Sequence, residues 1–152
     1  MAGPRDEAVR KGAYGAWKIH YHSVFPVKYR KALLDEAVTT ILQETAAEIA
    51  ERFPIEMEAI GTNKNHIHLL CSAHPKVAPG RIVQIFKSLT AREIFRRKPA
   101  VKRVLWGGEY WTDGYNVATV GERAKMADCR TVCAAARATA GRSSAAPNVL
   151  VL

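Results

Sequence analysis

The hydrophobic pattern of the chain switches between a strand-like period of two residues and a helix-like period of three to four. Residues 16–27 alternate apolar and polar side chains, as a strand with one buried face does. Apolar residues then recur at helical spacing from about Lys31 to Arg52, and Pro54 ends that helix. Ile55–Ile60 and Asn65–Ser72 alternate again on either side of a turn rich in Gly and Asn. These two segments predict a β-hairpin.

The second half of the chain repeats this order of elements. An amphipathic helix is predicted from about Pro79 to Arg97, and a last strand from Tyr115 to Val120. The order strand, helix, strand, strand, helix, strand predicts a ferredoxin-like α+β fold, with both helices on one face of an antiparallel sheet. Residues 1–13 are expected to form a flexible arm and residues 14–121 the folded domain. Residues 122–152 lack a strong apolar stripe and are expected to be atypical and partly disordered.

The candidate chemistry lies in the second strand of the hairpin. His66 and His68 are two residues apart, so they share one face of the strand, while Ile67 points to the other. Two imidazoles on one rigid face are half of a site for a divalent metal. The alternative is that they are polar residues on the solvent side of an amphipathic strand. His20 and His22 form a second such pair, as auxiliary ligands or as solvent-facing residues.

The charge of the chain points to a polyanionic partner. It has 23 Lys and Arg against 14 Asp and Glu among 152 residues, a net charge of +9, and its pI is about 9.7. Nucleic acid is therefore the first partner to consider, although a basic pI can also serve solubility alone. The outward face of the second predicted helix is almost entirely positive, which suits a track of phosphates.

Cysteine usage and hydropathy favour the cytoplasm. The three cysteines Cys71, Cys129 and Cys133 form no CxxC motif and no framework of pairs, which is typical of a reducing compartment. No apolar run approaches the ~18 residues of a membrane span, and no apolar segment follows the charged N-terminus. We expect no membrane partner and a cytoplasmic location.

Several motifs together resemble a known family of enzymes. His66–Leu70 is similar to the HUH strand (His, hydrophobic, His) of the single-tyrosine transposases of the IS200/IS605 family. Tyr21–Arg30 is similar to the opening strand motif of that family. Leu105–Gly108 and Tyr115–Gly121 resemble its Trp-Gly-Gly and Tyr-x-x-x-Thr-Val segments. The resemblance covers about residues 14–123.

This resemblance implies a DNA transposase that cuts and rejoins single-stranded hairpin DNA at insertion-sequence ends. His66 and His68 would hold Mg²⁺ or Mn²⁺ at the scissile phosphate, and a 5′-phosphotyrosine link would store the bond energy without a nucleotide cofactor. Hard divalent ions prefer oxygen, so two imidazoles need further donors from protein, DNA or water. By the same analogy two chains form a homodimer. The expected DNA phosphate contacts are Lys28, Arg30, Lys87, Arg92, Arg96 and Arg97.

The chain departs from this family at the expected nucleophile. The family carries a Tyr-x-x-x-Gln helix after the last strand, but the corresponding residues, about Lys125 to Arg137, include neither Tyr nor Gln. The position where the tyrosine is expected, near Val132 and Cys133, lacks it. Tyr110 and Tyr115 are conceivable substitutes, although aromatic residues beside a terminal strand more often pack in a core. No catalytic tyrosine is therefore identified.

A shift of the reading frame would explain the missing tyrosine. If the codons from Lys125 onward are read one base later, Met126 followed by Ala127 gives Trp, and a Tyr is permitted across the codons of Val132 and Cys133. Our hypothesis is that this chain is a frameshifted copy. The gene sequence around codon 125 tests it.

Two other functions remain compatible with the sequence. One is a catalytically inactive transposase remnant that binds hairpin single-stranded DNA. The other is a ferredoxin-like RNA-binding protein, which would stack bases on exposed aromatic residues of the sheet. Loss of metal-dependent binding on replacing His66 would argue against the second alternative.

Overall fold

The computed structural model describes residues 9–120 and the backbone of residues 150–151. The strands are β1 (Arg10–Gly12), β2 (Gly15–Trp17), β3 (His20–Pro26), β4 (Ile55–Thr62), β5 (His66–Ala73), β6 (Asn116–Thr119) and β7 (Leu150–Val151). The helices are α1 (Glu36–Arg52), α2 (Pro79–Arg97) and α3 (Pro99–Val104).

The predicted ferredoxin-like fold is confirmed. The main sheet has the order β6-β3-β5-β4-β7, and every pair of neighbouring strands is antiparallel. Its first four strands, with α1 between β3 and β4 and α2 between β5 and β6, have the βαββαβ topology expected from the sequence. The short β7 extends the sheet beside β4, and β1 and β2 form a separate hairpin. The predicted topology places β3 and β5 at the centre of the sheet.

The two long helices pack on the same side of the sheet, which we call the helix face. Alternate residues of β5 point to that side and join residues of both helices in one hydrophobic core. The core residues with no exposed surface are Phe25, Val27, Val38, Leu42, Ala46, Ile49, Ile67, Leu69, Cys71, Phe86 and Ile94. Burial of these side chains is the main force that holds the helices to the sheet.

The first helix begins later than its hydrophobic pattern predicts. It starts at Glu36 rather than at Lys31, because the Asp35 side chain accepts a hydrogen bond of 2.8 Å from the Val38 backbone N–H and caps the helix. The preceding chain is held elsewhere, since the Leu34 backbone N–H donates to the carbonyl of Lys64. A tertiary hydrogen bond thus replaces the first helical turn that local spacing favours.

The N-terminal part of the chain is more structured than expected. The strand predicted over residues 16–27 is interrupted at residues 18–19, and Arg10–Gly12, part of the expected arm, pairs with β2. Apart from β7, the predicted C-terminal segment lies outside the described residues. The position expected for the tyrosine, near Val132 and Cys133, is therefore outside them as well. Within residues 9–120, no helix combines the length and apolar character needed to cross a membrane.

Candidate metal centre and nucleic-acid surface

The HUH strand keeps its two histidines on the side of the sheet away from the helices, which we call the histidine face. Ile67, Leu69 and Cys71 fill the core, so the alternation of β5 turns His66 and His68 to the opposite side. This face is only partly open to solvent, because Leu70 is 0% exposed and both histidines are half-buried. The predicted pair therefore occupies a partly dehydrated surface.

Three imidazoles, rather than two, come together on the histidine face. The ring centroids of His66 and His68 are 5.2 Å apart, at an interplanar angle of 68°. The ring of His22 stacks on that of His68 with 5.3 Å between centroids, and its Nε2 lies 3.2 Å from Nδ1 of His68. His22 is brought there because β3 pairs with β5 and places His22 opposite Leu70, diagonal to His68. The cluster spans the two central strands.

Hydrogen bonds decide which ring nitrogens of this cluster can bind a ligand. Nδ1 of His66 lies 2.8 Å from the amide oxygen of Asn65, which can only accept, so Nδ1 carries the hydrogen. The lone pair of His66 is then on Nε2. Between His22 and His68 one ring nitrogen donates and the other accepts. Such bonds to the far nitrogen are the usual way in which proteins orient histidine ligands.

The electrostatics of the cluster favour neutral imidazoles. Burial, together with the neighbouring His22 and His66 rings, lowers the pKa of His68 from 6.5 to about 4. Burial lowers the pKa of His66 as well, and the positive charge of Arg30 lowers it further. The pKa of His22 is lowered by burial. Because the neutral form is the one that coordinates metals, all three rings are in the form that metal binding requires at pH 7.

The donor set is nevertheless incomplete by itself. Within residues 9–120, no three or more His, Cys, Asp and Glu side chains are arranged to hold a metal ion. His66 and His68 could supply two nitrogen ligands, and a hard ion such as Mg²⁺ or Mn²⁺ would take its remaining ligands as oxygens. The geometry is therefore compatible with a shared ion completed by water or by a phosphate.

The second histidine pair predicted on β3 divides into two different roles. His22 joins the cluster, whereas Nδ1 of His20 makes a buried contact of 2.7 Å with Oε1 of Glu58. Glu58 reaches His20 at a β-bulge, where the register of β4 with β5 shifts between Met57 and Ala59. Sequence reasoning treated the two histidines alike, because the bulge and the strand pairing are not visible in the local pattern.

Two of the expected phosphate contacts lie in the turn after β3. Lys28 is half-buried, and its Nζ lies 2.8 Å from Oε2 of Glu109 and 3.7 Å from Oδ2 of Asp113. Arg30 is exposed and forms no salt bridge within the described part of the chain, while its charge acts on His66. Arg30 is thus the better placed of the two for a phosphate near the histidines.

The four expected contacts on α2 differ in what they already bind. Nζ of Lys87 donates to the carbonyls of Thr112 and Gly114 at 2.7 and 2.8 Å, so this cation is engaged within the protein. Arg96 and Arg97 both pair with Glu93, and Arg97 also bonds Glu44. Arg92 is exposed and, within residues 9–120, has no acidic partner. A phosphate could be bound by Arg92 without breaking a protein contact.

The two tyrosines considered as substitute nucleophiles are on the helix face. Tyr110 is 1% exposed in the core, and burial raises the pKa of its hydroxyl well above the ordinary value. Tyr115 is half exposed and packs beside α2, where a Cβ on Gly80 would approach its hydroxyl to 2.8 Å. Neither residue lies on the side of the sheet that carries His66 and His68.

Comparison with known proteins gives a consistent relationship. The family model for IS200-like transposases matches residues 15–130. The ISDra2 transposase TnpA of Deinococcus radiodurans is 32% identical over 117 residues, which cover 77% of this chain and 84% of that protein. The transposase for insertion sequence element IS200 of Salmonella typhimurium is 31% identical over 121 residues, 76% of this chain and 77% of that protein.

Solved structures agree with the sequence relatives. A crystal structure of a Deinococcus radiodurans protein assigned as a transposase has a TM-score of 0.68 and 29% identity, and covers 81% of this chain and 95% of that one. A REP-associated tyrosine transposase bound to a REP hairpin has a TM-score of 0.52 and 12% identity, over 82% of this chain and 67% of that one, and shares the fold. The family model and the sequence relatives show that the chain belongs to the IS200/IS605 family of transposases.

Proposed function

We propose that this chain is an HUH-class transposase whose site serves metal-dependent cleavage and rejoining of single-stranded DNA at insertion-sequence ends. The cluster of His22, His66 and His68 is the observation that carries this proposal. Residues 14–121 form the transposase domain. The chain as it stands lacks the tyrosine nucleophile. Membership of the transposase family favours this function over the RNA-binding alternative.

The metal would be held by Nε2 of His66 and Nε2 of His68. Asn65 fixes the tautomer of His66 that leaves Nε2 as the ligand atom. When Nδ1 of His68 donates to Nε2 of His22, the hydrogen of His68 is on Nδ1 and its Nε2 is left as the ligand atom. A bound Mg²⁺ or Mn²⁺ supplies positive charge beside the scissile phosphate and orients it. The three neutral rings repel this charge less than imidazolium rings would.

The DNA would approach the histidine face from the end of the sheet at which the turn after β3 lies. Arg30 stands at that end, because Pro26 pairs with His66 and the turn follows directly. Among the other expected contacts, Arg92 is exposed but lies on α2, on the helix face and so across the sheet from the histidines. Lys28, Lys87, Arg96 and Arg97 hold protein partners that phosphates would have to replace. The fold is shared with a transposase that binds a REP hairpin, which supports a hairpin single strand as partner.

The nucleophile is the part of the machinery that this chain does not supply. Tyr110 is buried in the core, and Tyr115 lies against α2, so neither presents a hydroxyl to the histidine face. In the family a tyrosine oxygen bonds to phosphorus while the 3′-oxygen leaves as a hydroxyl. The tyrosine helix of one chain acts at the histidines of the partner chain. A frameshift near Lys125 accounts for the loss, and the homodimer remains an expectation from the family.

The metal site is tested by titrating the chain with Mn²⁺ and detecting bound ion by electron paramagnetic resonance. We expect binding by the unaltered chain, and at least a tenfold loss in His66→Ala and in His68→Ala. His74→Ala serves as the matched control, because His74 lies on the loop after β5 and outside the cluster. Equal Mn²⁺ affinity in all four proteins would contradict the proposed site.

The cleavage function is tested with 3′-labelled hairpin single-stranded DNA and Mn²⁺, because a 5′-phosphotyrosine link keeps the fragment on the 3′ side of the cut attached to the protein. The unaltered chain should bind the DNA and give no covalent band on a denaturing gel. A version re-coded from residue 125 in the shifted frame, which restores a tyrosine helix, should give that band, and its His66→Ala variant should not. If the re-coded chain binds hairpin DNA but never forms the covalent band, the second candidate, an inactive remnant that only binds DNA, is correct.

A further inference from the structure

An exposed aromatic pair stands at the end of the sheet that carries His66. Trp106 is 82% exposed and Tyr29 is 57% exposed, although both are large apolar side chains. The hydroxyl of Tyr29 donates to the backbone carbonyl of Trp106 at 3.3 Å, which joins the two turns that carry them. Neither residue has a role in the metal site or in the core. Such exposure of two adjacent aromatic residues is typical of a binding surface.

Both aromatic residues are held outward by unusual backbone. Tyr29 and Arg30 have φ angles of 58° and 50°, in the left-handed region that residues other than glycine rarely adopt. Trp106 precedes Gly107 and Gly108, whose φ angles of 83° and 71° are easy only for glycine. The strain at Tyr29 and Arg30 is of a kind that is commonly kept where function requires it. The turn of Tyr29 therefore presents its side chain at a cost to folding, whereas the turn of Trp106 relies on its two glycines.

The tethering of these turns places the pair beside the candidate metal centre. The turn of Tyr29 follows β3 directly, and the backbone N–H of Val27 donates to the carbonyl of Asn65 at 2.8 Å. Because Asn65 precedes His66, the turn is bonded to the start of the HUH strand. The turn of Trp106 is linked to it by the Tyr29 hydroxyl and by the ion pair of Lys28 with Glu109.

The charge around the pair is positive and available. Arg30, Lys102 and Arg103 are exposed, and within residues 9–120 none of them forms a salt bridge. Lys102 approaches the Trp-Gly-Gly turn, because its Cε lies 3.9 Å from where a Cβ on Gly108 would be. Nζ of Lys102 lies 5.9 Å from the ring centroid of Phe95, a contact that leaves its charge without an acidic partner. Exposed rings among cations of this kind suit a nucleotide, whose base has a flat face and whose phosphate is negative. A purely apolar protein partner would leave these charges without a counterpart.

We propose that Trp106, steadied by Tyr29, is a stacking site for one unpaired base of single-stranded DNA, with Arg30 and Lys102 on the flanking phosphates. This inference rests on the proposed function, and it adds a subsite that guides an unpaired nucleotide to the histidine face. Stacking is tolerant of sequence because every base has a π-face. The site therefore contributes affinity and position, and base identity is read elsewhere.

The test uses the full chain and three fluorescein-labelled DNA probes of one hairpin. The first probe has a short thymidine flank, the second has the same flank with abasic sites, and the third has no flank. By fluorescence anisotropy, Trp106→Ala should weaken binding of the first probe about tenfold and leave the other two unchanged. Trp106→Phe, which keeps a ring, should stay within about threefold of the unaltered chain. Tyr14→Ala is the matched control, because Tyr14 is 104% exposed in the β1–β2 turn.

Several outcomes would overturn the stacking site. One is equal loss for the flanked and the abasic probe, since phosphate contact would then explain the effect. A second is that the unaltered chain binds the same flank more tightly as RNA than as DNA. A third is that Trp106→Ala changes the oligomeric state, measured by sedimentation, while its DNA affinity stays the same. If Trp106→Ala binds all probes normally while His66→Ala still loses Mn²⁺, only the stacking site fails. If the unaltered chain binds no probe, the proposed function fails with it.

Discussion

The two faces of β5 show how burial keeps two different kinds of titratable side chain neutral on one strand. On the helix face, Leu69 and Cys71 are 0% exposed within the core. On the histidine face, His66 and His68 are half-buried beside His22. Burial raises the pKa of the Cys71 thiol to about 12 and lowers that of His68 to about 4, so both groups are neutral at pH 7. Neutrality makes the thiol inert, whereas the neutral form of an imidazole is the form that can coordinate a metal.

The largest expected effect comes from the helix face. Leu69→Ala removes a side chain with no exposed surface from the core and should lower the free energy of unfolding by about 3 kcal/mol. Leu69→Met nearly conserves volume and should cost less than about 1.5 kcal/mol. Urea unfolding measures both values. Mn²⁺ affinity of the folded protein should be unchanged in Leu69→Met, and a large loss there would show that the two faces are coupled.

A smaller effect is expected from the third imidazole on the histidine face. His22→Phe keeps a ring of similar size but removes the nitrogen that accepts from His68, so Mn²⁺ affinity should fall about tenfold. His22→Gln offers an amide oxygen as acceptor and should recover part of that affinity. Both variants should unfold within about 1 kcal/mol of the unaltered chain. Metal affinity that is the same in all three proteins would remove His22 from the site.

The elements set by local periodicity were predicted well. The predicted and observed bounds of α2 are both Pro79–Arg97, and β5 is displaced by one residue from the prediction. The hydrophobic period, Pro79 at the first turn of the helix and the turn-forming residues before β5 are all local signals. The side of the sheet occupied by His66 and His68 follows from the same alternation. Local chemistry was therefore enough for the order of the elements and for the side of the sheet that carries His66 and His68.

Features that depend on distant residues were missed. The start of α1 is set by Asp35 and by a hydrogen bond from Leu34 to Lys64, and the contact of His22 with His68 needs the pairing of β3 with β5. The bulge that directs Glu58 to His20 likewise has no signal in a single strand. A signal for His22 existed in the second His-x-His pair. It could not be used until the strand order was known.

The dependence of stability on pH distinguishes the two faces further. His68 has a folded-state pKa of about 4 against 6.5 for an ordinary histidine, so between these values the unfolded chain binds more protons than the folded one. The stability contributed by the neutral ring is present above pH 6.5 and is lost as the pH falls toward 4. The urea midpoint should therefore be lower at pH 5 than at pH 7.5. In His68→Asn this difference should shrink, whereas in Leu69→Met it should persist.

The smallest expected effect is the response of Cys71 to a thiol reagent. With a pKa of about 12, only about one thiol in ten thousand is ionised at pH 8, and the side chain has no exposed surface. Iodoacetamide at pH 8 should leave the tryptic peptide of residues 65–76 unmodified in the folded protein and label it fully in urea. Mass spectrometry of that peptide separates Cys71 from Cys129 and Cys133. Rapid labelling of the folded chain would mean that the core on the helix face of β5 opens transiently. In that case Cys71 would not be sealed from solvent, and the strand that carries His66 and His68 would not be a rigid support.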